Sequence, residues 1–385
     1  LNKYFRTYFL HGLLFLLTLI TTTLAGAELI TRKFFFSMNH LFHWSHQLGW
    51  REFWQGLAYS VPFLGILTVH EFGHFFMAKR YKIKVTLPYY LPIWLGFIGT
   101  SFGTMGAVIR LLTRPRTAKE YFDVGIAGPF AGLVVALGVL FYAFTHLPPP
   151  EYIFQIHPEY QKYGLDYANY VYSSYYDEKV ALGENLMWLF FKNFVASSPE
   201  AVPNMYEMIH YPYLFAGYLA LLFTALNLLP VGQLDGGHIL YGLLGSKYHA
   251  LIARILFTGF VFYAGLGLIS PYPEPNEFIP LYIKLPLYCI ALYMMFLKMW
   301  HHNIRLTIIW SLGILALQIL LVLVFPSLKG YSGWLFFAFM VGRLLGIDHP
   351  QVREEGSLGI TRKILGWLAL LIFILCFTPT PLVIK

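Results

Sequence analysis

The chain has 385 residues, of which 57% are hydrophobic and only 12% charged, about half the charged fraction of an ordinary soluble domain. That balance belongs in a membrane and leaves no room for a separate soluble domain of ordinary size, because apolar stretches of about 17–25 residues, long enough to cross a hydrocarbon core as a helix, recur from end to end. The net charge of +8 is carried by Lys and Arg between those stretches, the positive-inside pattern of membrane loops rather than a nucleic-acid surface, and both cysteines, Cys289 and Cys376, lie inside apolar stretches, which argues against a disulfide framework or a Cys-based zinc site.

In chain order, apolar runs place spans at Phe9–Ala25, Phe53–Ala78, Tyr121–His146, Tyr211–Pro230, Ala250–Ile269, Phe278–Met299, Arg305–Phe325, Gly333–Leu345 and Leu365–Pro379. The first has a rival reading, since Lys3 and Arg6 precede a short apolar core and Ala25-Gly26-Ala27 resembles a signal-peptidase site. Residues 87–112 are apolar but read poorly as a helix: Pro88 and Pro92 open the segment and Gly96, Gly99, Gly103 and Gly106 punctuate it. A re-entrant hairpin is expected there, and non-helical backbone at membrane depth must be buried in protein or line a wet cavity, which puts it beside a site. The expected fold is an all-α polytopic membrane protein of about eight to nine transmembrane helices with a re-entrant β-hairpin beside the active site. Its parts are residues 1–52, an N-terminal span and outward loop; 53–245, a core holding the hairpin (87–112) and an outward loop (147–210); and 246–385, the C-terminal spans.

Lys79, Arg80, Lys82, Lys84, Arg110, Arg114, Arg116 and Lys119 cluster between the second and third spans and mark the cytoplasmic side, where Lys3 and Arg6 also fall. After His146, acids outnumber lysines, as in an outward-facing loop. A bacterial inner or plasma membrane is the expected location, with the active site toward the cytoplasm; oligomeric state leaves no mark in the sequence.

His70-Glu71-Phe72-Gly73-His74 is an H-E-x-x-H sequence in the cytoplasmic half of the second span. On a helix, positions i and i+4 share a face, so two imidazoles can grip one zinc ion while the Glu points at a water on that ion. Zinc lowers the pKa of such a water from 15.7 toward about 7, and Glu71 can then take its proton and pass it to the leaving amine. Two histidines and a carboxylate inside a span cost several kcal/mol unless paired or ligating, so a purely structural cluster is the weaker account. An open catalytic zinc site wants a third protein ligand. The fourth span ends in Asn227, Pro230, Asp235, Gly236 and Gly237, where Pro230 breaks the helix, the glycines allow close backbone approach and Asp235 is presented at the depth of the histidines. Alone, an Asp before two glycines would read as a turn cap; paired with the zinc motif it reads as a ligand.

His70-Glu71-Phe72-Gly73-His74 together with the N-x-x-P-x-x-x-L-D-G pattern from Asn227 to Gly236 resembles the site-2 protease family of intramembrane zinc metalloproteases, peptidase family M50, in its bacterial and plastid branch. The resemblance covers roughly residues 54–245. It implies His70, His74 and Asp235 as ligands of one Zn2+ and Glu71 as general base and acid. Asn227 would hold substrate backbone or the developing oxyanion, or else make a helix-terminal hydrogen bond; an amide suits both. Gly125, Gly128 and Gly132 resemble the family's small-residue helix, whose lack of bulk lets the motif helices pack closely. The segment 87–112 matches its membrane hairpin, implied to bind an unwound substrate by strand addition, through an edge such as Thr104–Arg110. The implied partners are a protein substrate with a transmembrane helix and the lipid bilayer. Neither a PDZ insertion nor a C-terminal nucleotide-sensing module is recognisable.

Other polar groups, His238, His301, His302 and Asp348, read as span-end residues near water, with His238 also placed to reach the metal's outer shell. Tyr152–Tyr176 is dense in tyrosine and reads either as a cap over the substrate entrance or as a segment lying on headgroups. Three rival functions stand beside the peptidase: a transporter or ion- or proton-conducting protein, which explains the charges but not their spacing; a membrane H-E-x-x-H peptidase taking its third ligand from a glutamate; and a catalytically inactive relative.

Overall fold

The computed structural model describes residues 3–36, 47–96, 101–172, 180–269 and 280–384. Gly99 of the hairpin, Tyr175, Tyr176 and Asp177 of the long loop and Phe278 at the start of the sixth expected span lie outside the described residues. The chain is mostly helical. Five stretches, Arg6–Thr31, Trp50–Arg80, Ala118–Thr145, Asp235–Leu266 and Ile304–Val324, are long and apolar enough to cross a membrane, and three shorter apolar helices, Pro212–Leu228, Leu281–Leu297 and Trp334–Leu345, accompany them among the described residues. Large apolar side chains point outward along these helices: Val134 is 71% exposed and Ile309 67%. Water would not tolerate so continuous an apolar surface, whereas lipid does.

The structure divides into two compact units, residues 1–114, 127–226 and 371–385 in the first and 115–126 and 227–370 in the second. The first is built on α1 (Lys3–Thr31), the short α2 (Trp50–Gln55), α3 (Leu57–Arg80), the strands β1 (Tyr89–Pro92) and β2 (Thr104–Val108), and the greater part of α4 (Ala118–Thr145). α1 runs through Ala25, Gly26 and Ala27 and packs them against α3, where a Cβ on Gly56 would stand 1.9 Å from the Thr23 carbonyl oxygen. Small residues thus let two helices touch backbone to backbone, as is common where lipid supplies no hydrophobic drive. Thr22 and Ser60 share a buried hydroxyl hydrogen bond of 2.5 Å across the same contact. Ile66, Ala136 and Ala220 form an apolar core, with Val135 and Val139 packed against it.

β1 and β2 pair antiparallel, Tyr89 with Val108 and Pro92 with Thr104, with an irregularity between Tyr90 and Pro92. The prolines and glycines that argued against a helix thus open and shape a hairpin. Gly103 adopts a φ of +80°, and a Cβ there would meet the Thr22 Cα at 2.4 Å, so the hairpin lies tight on α1. The described residues between 147 and 210 are more structured than a loop reading suggests. They fold as helical turns, among them α5 (Ile153–Ile156) and α6 (Tyr167–Val171), followed by β3 (Val180–Leu182) and α7 (Leu186–Phe194). Their tyrosines stack in pairs, Tyr163 on Tyr170 at 4.9 Å and Tyr160 on Tyr167 at 5.0 Å. α8 (Pro212–Leu228) follows, and β3 pairs antiparallel with β4 (Leu382–Ile384) near the end of the chain, a pairing that the sequence reading does not contain.

The second unit holds α9 (Asp235–Leu266), α10 (Leu281–Leu297), α11 (Ile304–Val324), α12 (Trp334–Phe339) running into a π-helical turn at Met340–Leu345, and most of α13 (Ile360–Cys376). α9 begins well before the expected Ala250 and is interrupted at Gly245, whose φ of +78° separates a short first segment from the long one. Inside the apolar packing of α9, α10 and α11, Gln318 accepts a hydrogen bond from the Tyr288 hydroxyl at 3.2 Å and donates to the Phe262 carbonyl at 2.9 Å. Arg362 of α13 grips Asp123 with two hydrogen bonds of 2.7 and 2.9 Å.

Candidate metal centre

α3 carries His70, Glu71 and His74 in its last three turns, all buried, at 6%, 7% and 6% exposure. The i, i+4 spacing sets the two imidazoles on one face, edge-on to each other. Their ring centroids are 4.8 Å apart and their Nε2 atoms 3.0 Å apart. Tetrahedral zinc with bonds of about 2.0–2.1 Å sets neighbouring ligand atoms about 3.3–3.4 Å apart. Two Nε2 atoms converging at nearly that separation, in a buried place, fit such an ion.

Glycines make the room. A Cβ on Gly128 of α4 would lie 2.1 Å from the His74 Nε2, one on Gly132 would lie 2.9 Å from the His70 Cβ, and one on Gly73 of α3 would lie 2.5 Å from the Ala127 carbonyl oxygen. The small residues of α4 therefore do more than bring two helices close: two of them press directly on the two imidazoles. Two residues before His70, the Thr68 hydroxyl shares a 2.8 Å hydrogen bond with the Tyr90 hydroxyl and ties α3 to β1. A lone polar pair between a helix and a strand has no periodic signature, so the sequence reading missed it.

Asn227 and Asp235 belong to the second unit. Asn227 is the penultimate residue of α8, half-buried, and the helix stops at Leu228, two residues before Pro230. Asp235 is the first residue of α9, also half-buried, where the free amide N–H groups of a helix start favour a carboxylate. The glycines beside it have strict reasons: a Cβ on Gly236 would stand 1.9 Å from the Leu228 carbonyl oxygen and one on Gly237 2.3 Å from that of Gly232. A Cβ on Gly125 would meet His238 at 2.8 Å and the Asp235 carbonyl oxygen at 3.2 Å. The His238 Nδ1 lies 2.8 Å from the His349 Nε2, and His349 stacks on Tyr241. Arg254 holds Asp348 at 3.1 Å, while His301 and His302 are exposed. The structure thus brings His70, Glu71 and His74 together and sets Asn227 and Asp235 on either side of the Pro230 turn.

The sequence profile of peptidase family M50 matches residues 58–267, a stretch that contains both motifs. Among curated relatives, the chain is 30% identical over 212 residues to the "Probable zinc metalloprotease EGY1, chloroplastic" of Arabidopsis thaliana, covering 55% of this chain and 32% of that protein. It is 26% identical over 190 residues to the "Probable zinc metalloprotease EGY2, chloroplastic" of Oryza sativa subsp. indica, covering 49% and 30%. To the "Probable zinc metalloprotease EGY3, chloroplastic" of the same subspecies it is 28% identical over 233 residues, covering 57% and 36%. The matched stretch spans about a third of the length of each of these relatives. No solved structure matches the chain.

Proposed function

The chain belongs to peptidase family M50, and from that premise we propose that it is a membrane-embedded zinc endopeptidase that hydrolyses peptide bonds within or beside transmembrane segments of other membrane proteins. The observation that carries the reading is the buried pair of imidazoles on α3, with Nε2 atoms 3.0 Å apart and Glu71 between them in the chain. His70 and His74 supply two ligands to one Zn2+ and Asp235, at the start of α9, the third. Bound there, zinc acts as a Lewis acid that makes water a competent nucleophile at neutral pH and polarises the scissile carbonyl.

The chain's own groups then divide the work. Glu71 accepts the proton of the attacking water and returns it to the leaving amine, the role of a carboxylate adjacent to the ligands. Asn227 donates its amide N–H to the substrate backbone or to the oxygen on which charge develops. The substrate helix must unwind first, because a helical peptide bond keeps its carbonyl in an intrahelical hydrogen bond. The hairpin offers a place for the unwound strand. α1 covers β1, with the His11 Nδ1 2.9 Å from the Pro88 carbonyl oxygen and Phe15 edge-on to Tyr90, and the sheet has two strands. The reading therefore takes the outer edge of β2, Thr104–Arg110, as the one open to strand addition. The basic residues from Lys79 to Lys119 set this chemistry toward the cytoplasm, in a bacterial inner or plasma membrane.

The test is Glu71→Gln, compared with wild type in liposomes carrying a set of single-span proteins. Loss of the cleaved fragments with zinc retained supports the mechanism; cleavage at the wild-type rate sinks it.

A further inference from the structure

The described residues hold a second group able to take a metal ion, His157, Glu207 and His210, all in the first unit and 3–5% exposed. His157 caps α5; Glu207 is the N-cap and His210 the last residue of the helical turn that precedes α8. Their facing atoms form a nearly equilateral triangle: His157 Nε2 to His210 Nε2 is 3.3 Å, His157 Nε2 to Glu207 Oε2 is 3.2 Å and His210 Nε2 to Glu207 Oε2 is 3.4 Å. Tetrahedral coordination with bonds of about 2.0–2.1 Å requires edges of about 3.3–3.4 Å. The 3.2–3.3 Å sides are also long hydrogen bonds; what marks the site is that all three edges are nearly equal and near the tetrahedral value.

The far sides of the three groups are also occupied as an outer shell should be. The His210 Nδ1 lies 2.5 Å from the Leu29 carbonyl oxygen, one of the carbonyls in the last turn of α1 that lack an intrahelical partner. Donating there leaves Nε2 with its lone pair toward the triangle. The His157 Nδ1 lies 3.1 Å from Glu159 Oε1, the carboxylate–histidine arrangement that orients metal ligands. The Tyr172 hydroxyl donates to Glu207 Oε1 and leaves Oε2 for the centre. In the tautomer in which both Nδ1 atoms donate, three lone-pair atoms converge in a buried place, the form that a cation among them would hold together.

We propose that His157, Glu207 and His210 form a second divalent-cation site of the zinc class, distinct from the α3 centre, that staples the segment after α4 to the end of α1. Two nitrogens and one carboxylate oxygen suit zinc better than the all-oxygen shells of calcium or magnesium. The ion joins chain segments about fifty residues apart and fastens both to Leu29 through His210. Arg32 Nη1 lies 2.8 Å from the His157 Nδ1, and an arginine only donates. That contact belongs to the other tautomer, in which His157 Nε2–H donates to Glu207, and this is the metal-free form of the site.

The test uses the whole 385-residue chain, purified in detergent, with zinc measured by elemental analysis after dialysis against buffered Zn2+. A His70→Ala, His74→Ala variant, which lacks the α3 ligands, still binds about one zinc per chain, and added Zn2+ raises its melting temperature. Adding His157→Ala and His210→Ala removes that zinc and abolishes the Zn2+-dependent shift. Absence of zinc and of any shift in the His70→Ala, His74→Ala variant overturns the site without requiring the quadruple variant to fold, and so does zinc that survives loss of His157 and His210. The α3 centre is read separately, from the difference between wild type and His70→Ala, His74→Ala, so either reading can fail alone.

Discussion

At the scale of single residues, what each atom of the α3 motif can and cannot do decides the chemistry. Glutamine at position 71 keeps the shape of Glu71 but cannot take up a proton, so Glu71→Gln is expected to keep zinc and lose about 10²–10⁴-fold in cleavage rate, read from fragment yields and zinc content on the same preparations. Asp235→Ala should weaken zinc retention, and an unchanged zinc content would remove Asp235 from the ligands. Glycine positions give a sharper geometric prediction. A methyl on Gly128 would stand 2.1 Å from the His74 Nε2, whereas one on Gly138 of the same helix meets nothing within 4 Å. Gly128→Ala should therefore displace the imidazole and lower zinc occupancy, while Gly138→Ala keeps zinc and gains up to about 1 kcal/mol from helix propensity; equal zinc in the two variants would contradict the packing argument. The convergence of His70 and His74 is legible in the sequence because four residues of helix bring them to one face. His157, Glu207 and His210 leave no such trace, since the first is 53 residues from the last and only the folding of the segment after α4 joins them.

Among elements, those with internal chemistry were readable and those made by distant pairing were not. Pro230 announces the end of α8, and the helix stops at Leu228. The prolines and glycines of 87–112 announce a break from helix, and β1 and β2 fill it. By contrast, β3 and β4 have three residues each and lie about two hundred residues apart, too short for any alternation to show. Apolar patterning starts the fifth span only at Ala250, because Asp235, Gly236 and Gly237 look like a turn; α9 starts at Asp235, and the glycines make a close contact inside a helix start. Gly236→Ala forces a methyl to 1.9 Å from the Leu228 carbonyl oxygen. Backbone must move to relieve it, so a destabilisation of about 1–3 kcal/mol is expected, seen as a lower melting temperature; an unchanged one would contradict the close contact.

For the whole molecule, the outward apolar surface of the helices is the property that decides where the protein lives. Val134, 71% exposed near the middle of α4, faces lipid on this account, and Val134→Arg should cost about 2.5–3.5 kcal/mol on insertion, lowering the yield of folded, membrane-integrated protein relative to Val134→Leu. Equal yields would mean that this face meets water or protein. Within that apolar body, the buried polar cluster on α3 is the one that the zinc reading concerns. The most direct measurement is the zinc content of the detergent-purified chain beside its His70→Ala, His74→Ala variant, made under identical conditions. The account predicts that the variant carries about one zinc per chain less than wild type; equal zinc in the two would contradict it.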